Sequence, residues 1–365
     1  MWACRLAIVV PGRDTETAPS APGAAARDGS PDYDDDSEAA VAVRTYLEAI
    51  SDGLREEMRR DERVLVIGED VGVYGGAFKV TKGFQEEFGE WRVIDAPLAE
   101  TAIVGACTGA AMMGLRPVAE MQFADFISCC WDHLVTIAAK QHWRTGAAVP
   151  IVVRCPSGGG FSGGPFHSQN PESSFAHIPG LKIVCPSTPA DAKGLLIQSI
   201  RDENPVLYFE HKHLYRRIKD DVPEEEYTVP FGVARTARAG DDLTVVTWGA
   251  MVHTATAAAE QAAEQHGIST EVIDLRTIVP WDREAVLASV ARTGKALVLH
   301  EDTRTAGFGA EIAATIGEEV FENLDAPVVR LAAPDTPVPF SPPLETRFIP
   351  QVDDVLAAVH KLYAY

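Results

Sequence analysis

Short apolar runs recur along this chain with helical patterns between them. RVLVIGED (63–70) is a continuous apolar run closed by glycine and acids, and strand-like runs follow at 116–123, 150–156, 181–187 and 205–211. Runs of this length, bounded by turn residues, predict strands buried on both faces, as in parallel sheets built from βα units. Helical patterns fill the gaps, notably ADFISCCWDHLVTIAAKQHW (124–143) and PADAKGLLIQSIRDEN (189–204). The second opens on Pro-Ala-Asp after Ser-Thr, a good helix start. From His211 to Pro230 the pattern dissolves into a charged, proline-bearing connector. A second set then begins, with strands expected at 242–249, 270–278, 295–302 and 327–333. Helices are expected at 251–266, 281–293, 307–324 and after Pro350. The reading is α/β with two doubly wound domains, 39–220 and 231–365, joined by a linker at 221–230.

One stretch departs from this alternation. DAPLAETAIVGACTGAAMMG carries Glu100 at the start of a helix (101–114) made almost wholly of Ala, Gly, Ile, Val and Met. A helix apolar on nearly every face is buried or pressed against a partner. A carboxylate entering such a place is protonated, paired or chemically employed, because an isolated buried charge is too costly. A first-turn acid that merely favours the helix dipole is the plainer alternative.

Composition narrows the classes. The 365 residues carry a formal charge of -21, which disfavours nucleic acid and anionic membranes and suits either solubility or a basic protein partner. No apolar run is long enough to cross a bilayer. Residues 1–38, rich in Pro, Ala, Gly, Ser and Asp, read as a disordered leader without a secretory signal. Six cysteines without CxxC spacing, mostly in apolar segments, fit a reducing cytoplasm. Chemistry is expected at the carboxyl ends of the strands. Two glycine-rich segments fall there, GEDVGVYGGAFKVTKG (68–83) and SGGGFSGGPFHSQNPE (157–172). The second leads to His167, readable as an active-site wall or as a plain surface residue. Neither GxGxxG nor GxxxxGKS is present.

GEDVGVYGGAFKVTKG, VIDAPLAE, RPVAEMQFADF, FHSQNPE, PGLKIVCPS, EVIDLRTIVPWD and PVPFSPPLE together resemble the β subunit of thiamine-diphosphate-dependent 2-oxo acid dehydrogenases, from about residue 44 to the C-terminus. The resemblance implies a transketolase-like pyrimidine-binding domain followed by a transketolase C-terminal-like domain. It implies that Glu100 shares a proton with N1' of the cofactor's aminopyrimidine, a task suited by a raised carboxyl pKa in apolar surroundings. Leu98, Gln122 and Phe126 would line that ring. His167 would move a proton during acyl transfer to lipoamide, and Asp202 with Asn204 would hold a potassium ion. No GDG motif occurs in the chain, so magnesium and the diphosphate should be held by an α subunit in an α2β2 heterotetramer. A lipoyl acyltransferase would be the further partner and a small 2-oxo acid the substrate, branched-chain or pyruvate. An acetoin-cleaving relative and a non-catalytic scaffold subunit are the alternatives. The chain departs from the family at Thr101-Ala102, where Ser-Gly or Gln-Gly is usual, and across 131–136 and at Trp143.

Overall fold

In the computed structural model, which describes residues 40–365, the first strand in chain order of the first sheet is Val64–Gly68, at RVLVIGED as expected. The sheet has seven strands, in the order Thr277–Val279, Lys182–Val184, Val206–His211, Val152–Ser157, Arg116–Glu120, Val64–Gly68 and Val93–Asp95. All pairings are parallel except the first. The second sheet has five strands, Val329–Ala333, Ala296–Thr303, Leu243–Thr247, Thr270–Asp274 and Arg235–Arg238, the last of them antiparallel. Helices cover the sheets as in other doubly wound folds. The disordered leader expected at 1–38 lies outside the described residues.

Local chemistry sets the helix starts. Thr45 and Glu48 form a reciprocal capping box at Tyr46–Arg60, with the Glu48 amide donating to Thr45 Oγ1 at 3.2 Å and the Thr45 amide to Glu48 Oε2 at 2.8 Å. Thr188 accepts from the Asp191 amide ahead of Pro189–Arg201, where proline opens the helix.

Tertiary partners overrule the pattern in three places. The expected helix 124–143 is a 3₁₀ turn at Ala124–Cys130, a π-wound stretch at Asp132–Ala138 and an α-helix only from Ala139 to Thr145. Its backbone is drawn out of α winding because the Thr101 hydroxyl takes the Cys129 carbonyl and Asp125 turns away to bond Gln169. His133 packs against Gly105, where a Cβ would come within 3.0 Å of the ring. Thr101 and His133 thus each tie this irregular stretch to the Glu100–Met112 helix, through Cys129 and Gly105 respectively.

The expected strand 270–278 is two strands in two sheets. Arg276 adopts a left-handed φ of 60° while its amide donates to Asp274 Oδ1 at 3.0 Å. That turn sends Thr277–Val279 across to pair with Lys182–Val184. The charged connector, finally, contains the strand Lys219–Pro223, which pairs antiparallel with Val41–Thr45, so the first residues of the expected linker belong to a sheet.

At the carboxyl edge of the first sheet, the largest fully buried side chain is Arg154, on Val152–Ser157. It donates to Glu120 on one neighbouring strand and to Glu210 on the other, both buried. Burial pushes the Glu210 carboxyl up to about 7 even beside this guanidinium, which itself stays firmly protonated. A carboxyl whose native pKa lies above its unfolded value of 4.5 loses its stabilising contribution as pH rises through the native value. Replacing Arg154 with Leu strands two buried carboxylates and should cost about 3–5 kcal/mol. Because those carboxyls then titrate still higher, the deficit should shrink toward acid, measured by urea unfolding at about pH 5 and about pH 8. An equal deficit at both values would contradict this role for the guanidinium.

Candidate active site

Four neighbouring parallel strands of the first sheet end on the same edge, and the expected site residues follow their carboxyl ends. Val64–Gly68 delivers Glu69 and Asp70, and Val93–Asp95 leads to Leu98 and Glu100. Arg116–Glu120 leads to Gln122 and Phe126, and Val152–Ser157 leads to the glycine-rich loop and His167. The sheet topology, which places these strands side by side, thus gathers residues up to 98 positions apart.

Glu100 opens the helix Glu100–Met112 and is half-buried. The apolar enclosure expected around it is incomplete in the isolated chain. Ile103, Val104, Cys107 and Ala111 face the core, whereas Ala102, Ala106, Gly109 and Met112 are exposed. Leu98, two residues before Glu100, is 80% exposed, a large apolar side chain standing in the open at the rim. Glu69 is buried with no hydrogen-bond partner for Oε1. Burial raises its pKa, and the charges of Glu100 and Asp70 raise it further. Two carboxylates thus share one end of the sheet, an arrangement that holds a proton readily. Glu69 was not singled out from the sequence, where GED reads only as a strand terminus.

Aromatic rings form the opposite wall. Phe126 lies 5.6 Å from the His167 ring, and Phe123 lies 4.6 Å from it, both edge-to-face. Phe123 is the hub, since Phe78 meets its edge at 5.5 Å and Phe161 stacks on it at 6.4 Å. The Lys212 ammonium sits over both Phe123 and Phe161, at 5.7 and 5.2 Å, and donates to the Pro156 carbonyl at 3.0 Å. Its burial depresses its pKa to about 7. Asp125, buried between Ala124 and Phe126, accepts from the Gln169 amide at 3.2 Å and its side-chain nitrogen at 2.9 Å. The QFADF and HSQ strings are therefore bonded directly, two residues from His167. His167 Nδ1 is 3.3 Å from the Gly163 carbonyl, and Nε2 has no hydrogen-bond partner among the described residues. Gln122 donates to Asp70 at 3.3 Å. Phe123, Asp125 and Lys212 escaped the sequence reading because each looks like core until the strands are side by side.

Asp202 and Asn204 lie far along the chain, at the end of Pro189–Arg201. Asp202 Oδ2 pairs with the Lys182 ammonium at 2.5 Å, and Oδ1 accepts from the Asn204 amide at 2.8 Å and its side chain at 2.9 Å. An internal cation and a helix-end cap thus bond this carboxylate. Among the described residues no group of three or more His, Cys, Asp or Glu converges on a metal position, and no helix is long and apolar enough to cross a membrane. Cys107, Cys129, Cys130, Cys155 and Cys185 are free thiols.

Residues 42–218 match the transketolase pyrimidine-binding domain and residues 232–355 the transketolase C-terminal domain. The chain is 51% identical over 325 residues to the 2-oxoisovalerate dehydrogenase subunit beta of Bacillus subtilis (strain 168), covering 88% of this chain and 99% of that protein. It is 46% identical over 327 residues to the pyruvate dehydrogenase E1 component subunit beta of the same strain, covering 89% and 100%. Among solved structures it is similar to a split gene transketolase, an inactive beta4 tetramer, with a TM-score of 0.67 and 21% identity over 88% of this chain and 98% of that one. At that identity the likeness is one of fold. With both domains in this order and near-full-length similarity to two such subunits, the chain belongs to the transketolase-like family of 2-oxo acid dehydrogenase E1 β subunits.

Proposed function

We propose that this chain supplies the aminopyrimidine half of a thiamine diphosphate site, in an α2β2 tetramer that decarboxylates a small 2-oxo acid, branched-chain or pyruvate, and passes the acyl group to a lipoyl acyltransferase. What supports the reading is that Glu100, Phe126 and His167 follow the carboxyl ends of three strands in one run of four parallel strands, with Phe126 edge-on to His167. The residues fit the ring end of the cofactor. A half-buried carboxylate, reinforced by the orphaned oxygen of Glu69, can hold a proton against a ring nitrogen. Phe126 and the exposed Leu98 offer apolar surface to a flat heterocycle, with Gln122 beside them. For the diphosphate and magnesium, the sequence has no GDG motif, and that half of the site falls to an α subunit.

When bound, the cofactor supplies an electron sink for the carbon–carbon bond that breaks as carbon dioxide leaves. Glu100 would hold a proton at its carboxylate for exchange with a ring nitrogen. Phe126 and Leu98 would offer the ring apolar surface. His167, edged by Phe123 and Phe126, moves a proton at its Nε2 during acyl transfer.

The Glu100→Gln tetramer should assemble yet decarboxylate about 10²–10⁴-fold more slowly, since the amide keeps size but cannot exchange a proton. Near-normal turnover would return Glu100 to a helix-start acid. Calorimetry completes the test, because the isolated chain should bind thiamine diphosphate weakly and gain affinity with its α partner and magnesium. Tight stoichiometric binding by the chain alone would refute the shared site.

His167→Ala should impair lipoyl acyl transfer more than decarboxylation followed with an artificial electron acceptor, by about 10²-fold in the first. Equal losses would mean that the imidazole serves cofactor placement instead.

A further inference from the structure

The loop that presents His167 is held from the opposite domain. Glu301, on Ala296–Thr303, accepts from the Gly159 amide at 2.7 Å through Oε1, while its Oε2 lies 2.8 Å from His211 Nε2. Glu345, on the helix Pro342–Phe348, reaches the next residues. It accepts from the Gly160 amide at 3.1 Å, from the Ser162 amide at 3.1 and 2.9 Å through its two oxygens, and from the Ser162 hydroxyl at 3.2 Å. Both carboxylates are buried. Charge-assisted bonds to backbone amides are about twice as strong as neutral ones, and here they converge on three residues of one short loop, Gly159, Gly160 and Ser162.

The clamp sets a backbone that the loop would not keep alone. Ser162 has φ of 62°, in the left-handed region that disfavours a residue with a side chain, and such a conformation persists only where the surroundings hold it. The ring of Phe340 closes on Gly164, where a Cβ would collide with it. Phe161, between the clamped amides, stacks on Phe123, and Phe123 meets the His167 imidazole at 4.6 Å. Behind the clamp lies a cavity of about 490 Å³ lined by Gly159, Gly160, Ser162, His213, Met251 and Glu345. A released loop has room to retreat into it.

We propose that Glu345 is a positioning residue for His167: by fixing the amides of Gly160 and Ser162 it seats Phe161 against Phe123 and thereby holds the imidazole in place for acyl transfer. This rests on the role given to His167 above. If Glu345 served only its own helix, its carboxylate would have no need to leave that helix for the loop. The same contact makes the acyl-transfer step depend on how the C-terminal half docks on the first sheet.

The test uses the assembled tetramer carrying Glu345→Gln, Glu345→Ala, His167→Ala, or both alanines. Amide hydrogen exchange in 158–163 should accelerate in the Glu345 variants while exchange in Val152–Ser157 and Val206–His211 stays protected. Lipoyl acyl transfer should fall about 10–100-fold in Glu345→Ala, with decarboxylation to an artificial acceptor held within about twofold, as expected for a misplaced catalytic group. In the His167→Ala background, removing Glu345 should cost nothing further. Additive losses, equal losses in both assays, or a freed loop with unchanged transfer would each overturn the proposal. If His167→Ala itself transfers normally, the role of His167 fails and the proposal with it; if His167→Ala is impaired and Glu345→Ala is not, the positioning role alone fails. Should the alanine variant not assemble, Glu345→Gln, which keeps the volume and one acceptor oxygen, decides the matter by the same readouts.

Discussion

Arg154 carries a permanent charge in the most enclosed part of the first sheet, bonded to Glu120 and Glu210 on the strands to either side. Burying such a group is costly, and it is tolerable only because both carboxylates are placed by strand register, Glu120 directly opposite Arg154 and Glu210 two residues beyond its partner Tyr208. The triad sits just before QFADF, the glycine-rich loop and Lys212 leave the sheet. Three strand ends are thus held in one register at the point where their loops must meet. The aromatic hub, the Asp125–Gln169 bond and the Lys212 contact with Pro156 all build on that edge.

The second half of the chain is part of the same construction. Thr277–Val279 leaves its own domain to extend the first sheet, and the Trp248 indole donates to buried Glu172 at 3.0 Å behind the His167 loop. Burial raises the Glu172 pKa strongly, and the nearby charge of Asp302 adds to it. Together with the bonds from Glu301 and Glu345, these contacts mean that the N-terminal residues carry the candidate chemistry while the C-terminal domain fixes where one of them stands.

The rim is unfinished in a different way. Leu98, Met112 and Met113 stand exposed around the Glu100 helix, whose outward face is otherwise Thr101, Ala102, Ala106 and Gly109. Small residues on an exposed helical face let a second surface approach closely, and depletion of charge there is typical of an interface core. Membership among E1 β subunits and the half-buried state of Glu100 are consistent on this point: the helix has its core side filled and its other side open.

Much of this was legible in the chain itself. The buried strands read as short apolar runs because a strand covered on both faces has no polar positions to spare, and the helix starts read from Thr188-Pro189 because capping is local. Glu100 and His167 each had a plainer reading, a first-turn acid and a surface-loop histidine, and it was the motifs shared with the β-subunit family that singled them out. What the chain did not disclose were the residues whose meaning lies in a neighbour distant in sequence. The winding of 124–143 is decided by Thr101 and Gln169, the split at Asp274–Thr277 by Val184, 93 positions before its partner Thr277, and the importance of Glu345 by amides 183 and 185 positions away. The Lys182 partner of Asp202, 20 positions away, was likewise invisible in the sequence. Periodicity and capping are properties of a few consecutive residues and so are written in the sequence. Hydrogen bonds between separate strands and domains depend on register and docking, which only the folded chain decides.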